Sequence, residues 1–291
     1  MKHLFSVAIA AAALAAATAG HADTVLNTSL GSLPSPGSTV TDATGTRSTN
    51  PVDGSANRVS EAFGGFYSWQ QRDVGGGAVV GITTDYARSG NGSAYFSTVD
   101  GNSKASLEYF FEGPLALSDF DGASYDWYRD SASTNIGIQA PSLRLYVLDG
   151  FTGGTLIFEP YYQGPPADVA TDSWQTSFLD FSSTVWARPS FGAPATASCD
   201  PDACFDTLAN YAAKHPDLLV TGFSTGVGSG WNGAFKGAVD NITFSFGGQE
   251  STFNFEVDAA TVPEPATWAM MLMGFGGLGA MLRRRRGILA A

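Results

Sequence analysis

Cysteine, histidine and basic residues are scarce in this sequence. Two cysteines and three histidines occur among 291 residues. A structural zinc centre takes four Cys or His ligands. Cys199, Cys204 and His215, the only such residues beyond position 21, do not make up that set. Lys and Arg total 15 against 27 Asp and Glu, for a net charge of −12. The imbalance is larger in the body. Lys2 and Arg283 to Arg286 lie in terminal segments free of acids, so residues 23–265 hold ten basic against 27 acidic groups, a balance of −17. A body this acidic repels phosphate backbones, which excludes nucleic acid as a partner.

Catalytic constellations are missing too. No Gly-x-Ser-x-Gly elbow accompanies a histidine, so a nucleophilic triad lacks its base. No close-spaced carboxylate array marks a glycosidase, and acidic groups such as Asp126 and Glu159 read as scattered surface charge. The sequence therefore predicts a protein that is not an enzyme. No repeat of fixed period occurs, which disfavours propellers and solenoids.

What is present is glycine, 35 residues of it, punctuating short runs that alternate apolar and polar. SAYFSTVDGNSKASLEYFFEG reads as two strands joined by a turn at Asp100-Gly101-Asn102. ASYDWYRD, LRLYVLDG and GTLIFEPYY follow, with Leu143, Leu145 and Val147 on one face. Ile242, Phe244 and Phe246 alternate, and Phe253, Phe255 and Val257 repeat the pattern after a Gly-Gly turn. Period-two patterning over many short runs predicts an all-β fold, an antiparallel jelly-roll-like sandwich. One short helix interrupts it in FDTLANYAAKHPD, with Asp206 as N-cap, Pro216 as the stop and His215 as a solvated residue at its end.

The ends differ from the body. Residues 1–22 read as a signal peptide: Lys2, an apolar stretch from Leu4 to about Ala17, then small residues suited to cleavage after Ala19 or Ala22. Residues 23–260 form the sandwich domain. Its first part, 23–58, is rich in Thr, Ser, Gly and Pro and reads as loops, with one early strand around Val25 to Leu30. An exported chain meets an oxidising environment, so Cys199 and Cys204 are expected to pair in a local disulfide.

Residues 261–291 form a tail. Ala266 to Leu282 are uncharged and span about 25 Å as a helix, the lower limit for crossing a bilayer. Arg283, Arg284, Arg285 and Arg286 then hold that end in the cytoplasm by the positive-inside rule. Pro263 and Pro265 keep Glu264 extended outside the membrane. A permanent single-pass anchor fits the same pattern.

PEP followed by TWAMMLMGFGGLGAMLRRRR resembles the PEP-CTERM sorting signal of Gram-negative bacteria in its Trp-Ala-Met form. The resemblance implies an exosortase partner that recognises Pro263, Glu264 and Pro265. It also implies a transient stay in the inner membrane, then release to the cell surface or extracellular space. SYDWYRDSASTN, APSLRLYVLDG and VGSGWNGAFKGAVDNITF resemble the uncharacterised jelly-roll domains that precede such tails. That likeness implies a sandwich in an extracellular matrix.

For binding, Trp69, Trp127, Trp174, Trp186 and Trp231 lie in the body, where exposed rings stack on sugars and buried ones fill cores. Trp231, between glycines in GSGWNG, is the candidate glycan contact. Asp240 and Asn241 in AVDNIT are candidate calcium ligands with Asp119, Asp121 or Asp126, although no EF-hand spacing occurs and hydrogen bonding at a strand start explains them as well. No other cofactor is expected. The sequence thus predicts a non-catalytic envelope or extracellular polysaccharide-matrix protein, with a carbohydrate-binding module or calcium-dependent adhesin as alternatives.

Overall fold

The computed structural model describes residues 21–32, 38–49, 68–165 and 167–258, with Met273 and Phe275 as isolated helical positions. The strands in chain order are β1 (His21–Leu26), β2 (Gly31–Ser32), β3 (Ser38–Asp42), β4 (Gly45–Thr49), β5 (Gln70–Gly75), β6 (Val79–Thr83), β7 (Ser93–Thr98), β8 (Lys104–Ala116) and β9 (Phe120–Arg129). They continue as β10 (Ser142–Asp149), β11 (Thr152–Phe158), β12 (Gln175–Leu179), β13 (Thr184–Ala187), β14 (Ser198–Cys199) and β15 (Cys204–Thr207). Helix α1 (Leu208–Lys214) precedes β16 (Leu219–Val227), β17 (Phe235–Phe246) and β18 (Gln249–Glu256).

These strands form two nine-stranded sheets. The first runs β1-β18-β17-β7-β6-β4-β3, with β9 on the opposite edge of β17 and β12 beyond it. The second runs β14-β15-β13-β11-β10-β16-β8-β5-β2. Pairing is antiparallel except for β1 with β18 and β2 with β5. The inward residues of each sheet meet in one core. Phe223 of the second sheet stacks on Phe244 of the first at 4.1 Å, Tyr109 meets Phe253 at 5.0 Å, and Tyr125 meets Phe158 edge-on at 6.2 Å. Leu143, Leu145 and Val147 share the inner face, as the alternation predicts. The hairpin between β17 and β18 turns on Gly247 and Gly248, whose φ values of 55° and 75° are the pair that a type I′ turn demands.

Several expectations need correction. Within the segment 23–58, the described residues 23–32 and 38–49 are not mostly loop, because β1 to β4 occupy most of them. Its strands lack apolar alternation and are held instead by hydroxyl pairs across β3 and β4, Thr39 to Ser48 at 2.9 Å and Thr41 to Thr46 at 3.0 Å. The two strands expected around Asp100-Gly101-Asn102 form as β7 and β8, and the turn carries the chain from one sheet to the other. The helix N-cap is Thr207, whose hydroxyl accepts the Asn210 N–H at 3.2 Å. Asp206 still belongs to β15, opposite Val185, so the cap falls one residue later. His215 is buried, not solvated: its Nδ1 lies 2.8 Å from Asp149 Oδ2 and its Nε2 lies 2.8 Å from the Gly192 carbonyl.

The expected disulfide is formed, joining Cys199 to Cys204 across a paired position of β14 and β15. Most of the signal peptide falls outside the described residues, but His21 and Ala22 open β1. Pro263, Glu264, Pro265, the span 266–282 and Arg283 to Arg286 also fall outside them, apart from positions 273 and 275. No helix among the described residues is long and apolar enough to cross a membrane.

Candidate functional site

With Leu143, Leu145 and Val147 facing the core, Ser142, Arg144 and Tyr146 of β10 must face outward. The strand register extends that face across the sheet. One row of opposed residues runs Trp186, Ile157, Arg144, Ser224, Glu108 and Gln70. The neighbouring row places Ser106 opposite Arg72. From Arg144 onward these outward positions are polar, yet Gln70, Arg72, Ser106, Glu108 and Ser224 are buried. Buried charge is rare unless paired, and Arg72 lies 3.8 Å from Glu108.

A cleft of about 440 Å³ opens over the β10–β11–β13 part of this face. Its wall includes Tyr146, Glu159, Trp186, Arg188, Phe191 and Trp231. Trp186 is half-buried, and its indole N–H donates to Glu159 Oε2 at 3.3 Å. Burial lifts the Glu159 carboxyl above the usual carboxylate range, while the Trp186 hydrogen bond and the Arg144 charge pull it back in part. Arg144 is held by hydroxyls rather than by a carboxylate: Nε donates to Ser142 Oγ and Nη1 to Ser106 Oγ, both at 2.9 Å. Lys104 and Asp73, also at the cleft, form an ion pair of 2.6 Å. Asp73 sits at a bulge in β5 with φ of 53°, and bulges re-aim side chains in this way.

The floor near Phe191 depends on a glycine. A Cβ at Gly154 would lie 2.3 Å from the Phe191 ring, so only glycine in β11 lets that ring pack there. Phe191 rests in turn on His215, with ring centroids 4.8 Å apart.

The sequence candidates are placed as follows. Trp231 lines the cleft but is only 7% exposed and packs edge-to-face on Phe235 at 5.3 Å, so its ring does not project from the loop. Trp69 and Trp127 are in the core. Trp174 is half-buried, 5.7 Å from Tyr128 and under the Arg88 guanidinium.

Asp240 and Asn241 occupy a fork. One edge of β17 pairs with β7 through Val239 and with β18 from Ile242 onward. At the gap, the buried Asp240 carboxylate accepts the N–H groups of Phe255 at 2.9 Å and Ser89 at 3.2 Å. Asn241, with φ of 49°, donates to Asp126 Oδ2 at 2.8 Å. Asp126 also takes Arg88 and Thr176, whereas Asp121 takes Ser245 and the Gly248 amide, so the acidic side chains are dispersed. Among the described residues, no group of three or more His, Cys, Asp or Glu is arranged to hold a metal ion.

Residues 261–286 match the family model of the PEP-CTERM protein-sorting motif. The chain carries a PEP-CTERM sorting motif. That motif implies an exported protein sorted by exosortase while anchored at the membrane. No curated protein sequence matches the chain. Among solved structures, it is similar to the family 11 carbohydrate-binding module from Clostridium thermocellum in complex with a β-1,3-1,4-mixed-linked tetrasaccharide. The identity is 16%, covering 64% of this chain and 92% of that one, with a TM-score of 0.36. A thermostable cellulase derived from that of Rhodothermus marinus matches at 12% identity over 60% and 96% of the two chains, TM-score 0.29. Lectin II from Ulex europaeus matches at 10% over 55% and 89%, TM-score 0.27. At scores this low the likeness says nothing of ligand or activity for this chain.

Arg144 and Arg188 are cleft residues that sequence reading did not name; Trp186 stood there only among the five body tryptophans, and Glu159, read as scattered surface charge, lies in the cleft wall. The signal for two of them was present. Arg144 and Glu159 interrupt apolar strand runs, LRLYVL and TLIFE, at outward positions of the alternation.

Proposed function

We propose that this protein is a non-catalytic component of the cell envelope or extracellular matrix whose sandwich binds a carbohydrate in the cleft over β10, β11 and β13. One observation carries the reading. Trp186 stands half-exposed on the cleft wall with its N–H already engaged by Glu159, beside the side chain of Arg144. An aromatic face takes the C–H face of a sugar ring, and fixed charged groups take its hydroxyls, the combination that orients ligands in concave sites.

Support for a binding rather than a catalytic role comes from the carboxylates. A glycosidase needs two working in concert about 5–10 Å apart. Here Asp73 is committed to Lys104, and Glu159 to the Trp186 indole. Export through the sorting motif then delivers the sandwich to a polysaccharide-rich setting.

Affinity electrophoresis through gels loaded with a panel of polysaccharides tests the reading, comparing wild type with Trp186→Ala. Retardation by at least one polymer, abolished by the substitution, is the expected result. Equal mobility in every gel ends the proposal.

A further inference from the structure

The body of this protein holds only ten Lys and Arg residues between positions 23 and 265, against 27 acidic ones. Three of the ten, Lys104, Arg144 and Arg188, converge on one cleft, where among the described residues only Asp73 and Glu159 carry acid groups. Scattered surface charge would give the opposite ratio. The pairing inside the cleft sharpens the contrast. Asp73 and Lys104 neutralise each other at 2.6 Å. Arg144 is gripped by two serine hydroxyls, which fix its guanidinium without cancelling its charge. Gly228 adds no side chain beside Arg144 Nη2, and Arg144 is half-buried. Arg188, exposed where β13 ends, makes no ion pair among the described residues.

We propose that the cleft selects an acidic polysaccharide, whose ring carboxylates or sulfates pair with the guanidinium groups of Arg144 and Arg188. The proposal rests on the carbohydrate-binding reading above and narrows it to one ligand class. Guanidinium offers a planar fork that meets a carboxylate or sulfate through two parallel hydrogen bonds, and a preoriented fork loses less entropy on binding. Glu159, the remaining acid, is engaged by the Trp186 indole N–H at 3.3 Å. A net charge of −12 repels polyanions from the molecule as a whole. Attraction must therefore come from this local cluster, where low-dielectric walls focus the field.

The test is titration calorimetry of the purified protein with three probes: oligogalacturonate for carboxylate, dextran sulfate for sulfate and cellotetraose as the neutral control. The expected result is binding of at least one anionic probe, at least tenfold tighter than cellotetraose and weakened by raised salt. Arg188→Gln should weaken that binding about tenfold, and Arg188→Lys should restore part of it. Arg188 is exposed, so an unchanged thermal unfolding curve is expected for both variants. Binding of cellotetraose as tight as of the anions, indifferent to Arg188→Gln, overturns the acidic-ligand inference and leaves the carbohydrate reading standing. Heat from none of the probes, with no retardation in any polysaccharide gel, overturns both.

Discussion

Trp186 and Glu159 are joined by an indole N–H···O hydrogen bond of 3.3 Å on the wall of the cleft. The bond fixes the ring and occupies the carboxylate together. Replacing Trp186 by Ala therefore removes both the stacking face and one restraint on Glu159, whereas Trp186→Phe keeps a face without the donor. We expect Trp186→Ala to lower polysaccharide affinity by about tenfold or more, near 1.4 kcal/mol. Trp186→Phe should fall between the two proteins. Calorimetric titration of the three forms checks the order.

Asp240 gives a pH signature. Burial, reinforced by the nearby Glu256 charge, raises its carboxyl to about 6, while two backbone N–H bonds and a third from Asn241 hold it down in part. An acid with a folded pKa above its unfolded value binds its proton more tightly in the native state. Stability from this group is thus present below pH about 4 and is lost as pH rises toward 6, by up to about 3 kcal/mol. Asp240→Asn removes the titration. The difference in unfolding free energy between wild type and variant, followed from pH 4 to 7, should move against the wild type. A difference constant with pH would sink this account.

The Cys199–Cys204 bridge closes a loop at the end of the second sheet, where β14 pairs only with β15 among the described strands. The double substitution to Ser is expected to lower stability by about 2 kcal/mol, the chain-entropy value for so short a loop. Urea unfolding, with and without reductant, measures it. The reduced wild type should coincide with the variant.

His215 joins three segments by bonding Asp149 and the Gly192 carbonyl while carrying Phe191 on its ring. His215→Ala leaves the carbonyl without that donor and should reduce stability by about 1–3 kcal/mol. Because Phe191 lines the cleft, ligand affinity should fall as well, even though His215 touches no ligand. Gln in its place restores one of the two bonds and should recover part of each loss. Chemical unfolding and calorimetry on the same preparations separate the two effects.

How far the sequence reached follows from what each element leaves in the local pattern. Leu143, Leu145 and Val147 announced their strand because one face is core and the other is not, and the Gly247-Gly248 turn was plain for a similar local reason. β3 and β4 left no such trace, since their cross-strand bonds run between Thr and Ser hydroxyls, residues that loops favour equally. That β7 and β8 belong to different sheets is a tertiary fact; a turn through Asp100 reads the same either way. His215 looked solvated because its partners, Asp149 and Gly192, lie 66 and 23 residues away. The cleft was hidden for the same reason. Only strand register brings Trp186 beside Ile157 and Arg144 beside Ser224.

The parallel pairing of β1 with β18 bears on how the molecule withstands pulling. β18 lies between β1 and β17, and its far end is clasped by Asn27, which receives the Asp258 N–H at 2.6 Å, and by Glu256, which receives the N–H groups of Asn91 and Gly92. A load applied through residue 258 runs along the strand axis, so both flanking ladders resist in shear and many bonds must fail together. A sandwich fastened by that point can sustain tension without unzipping from its last strand.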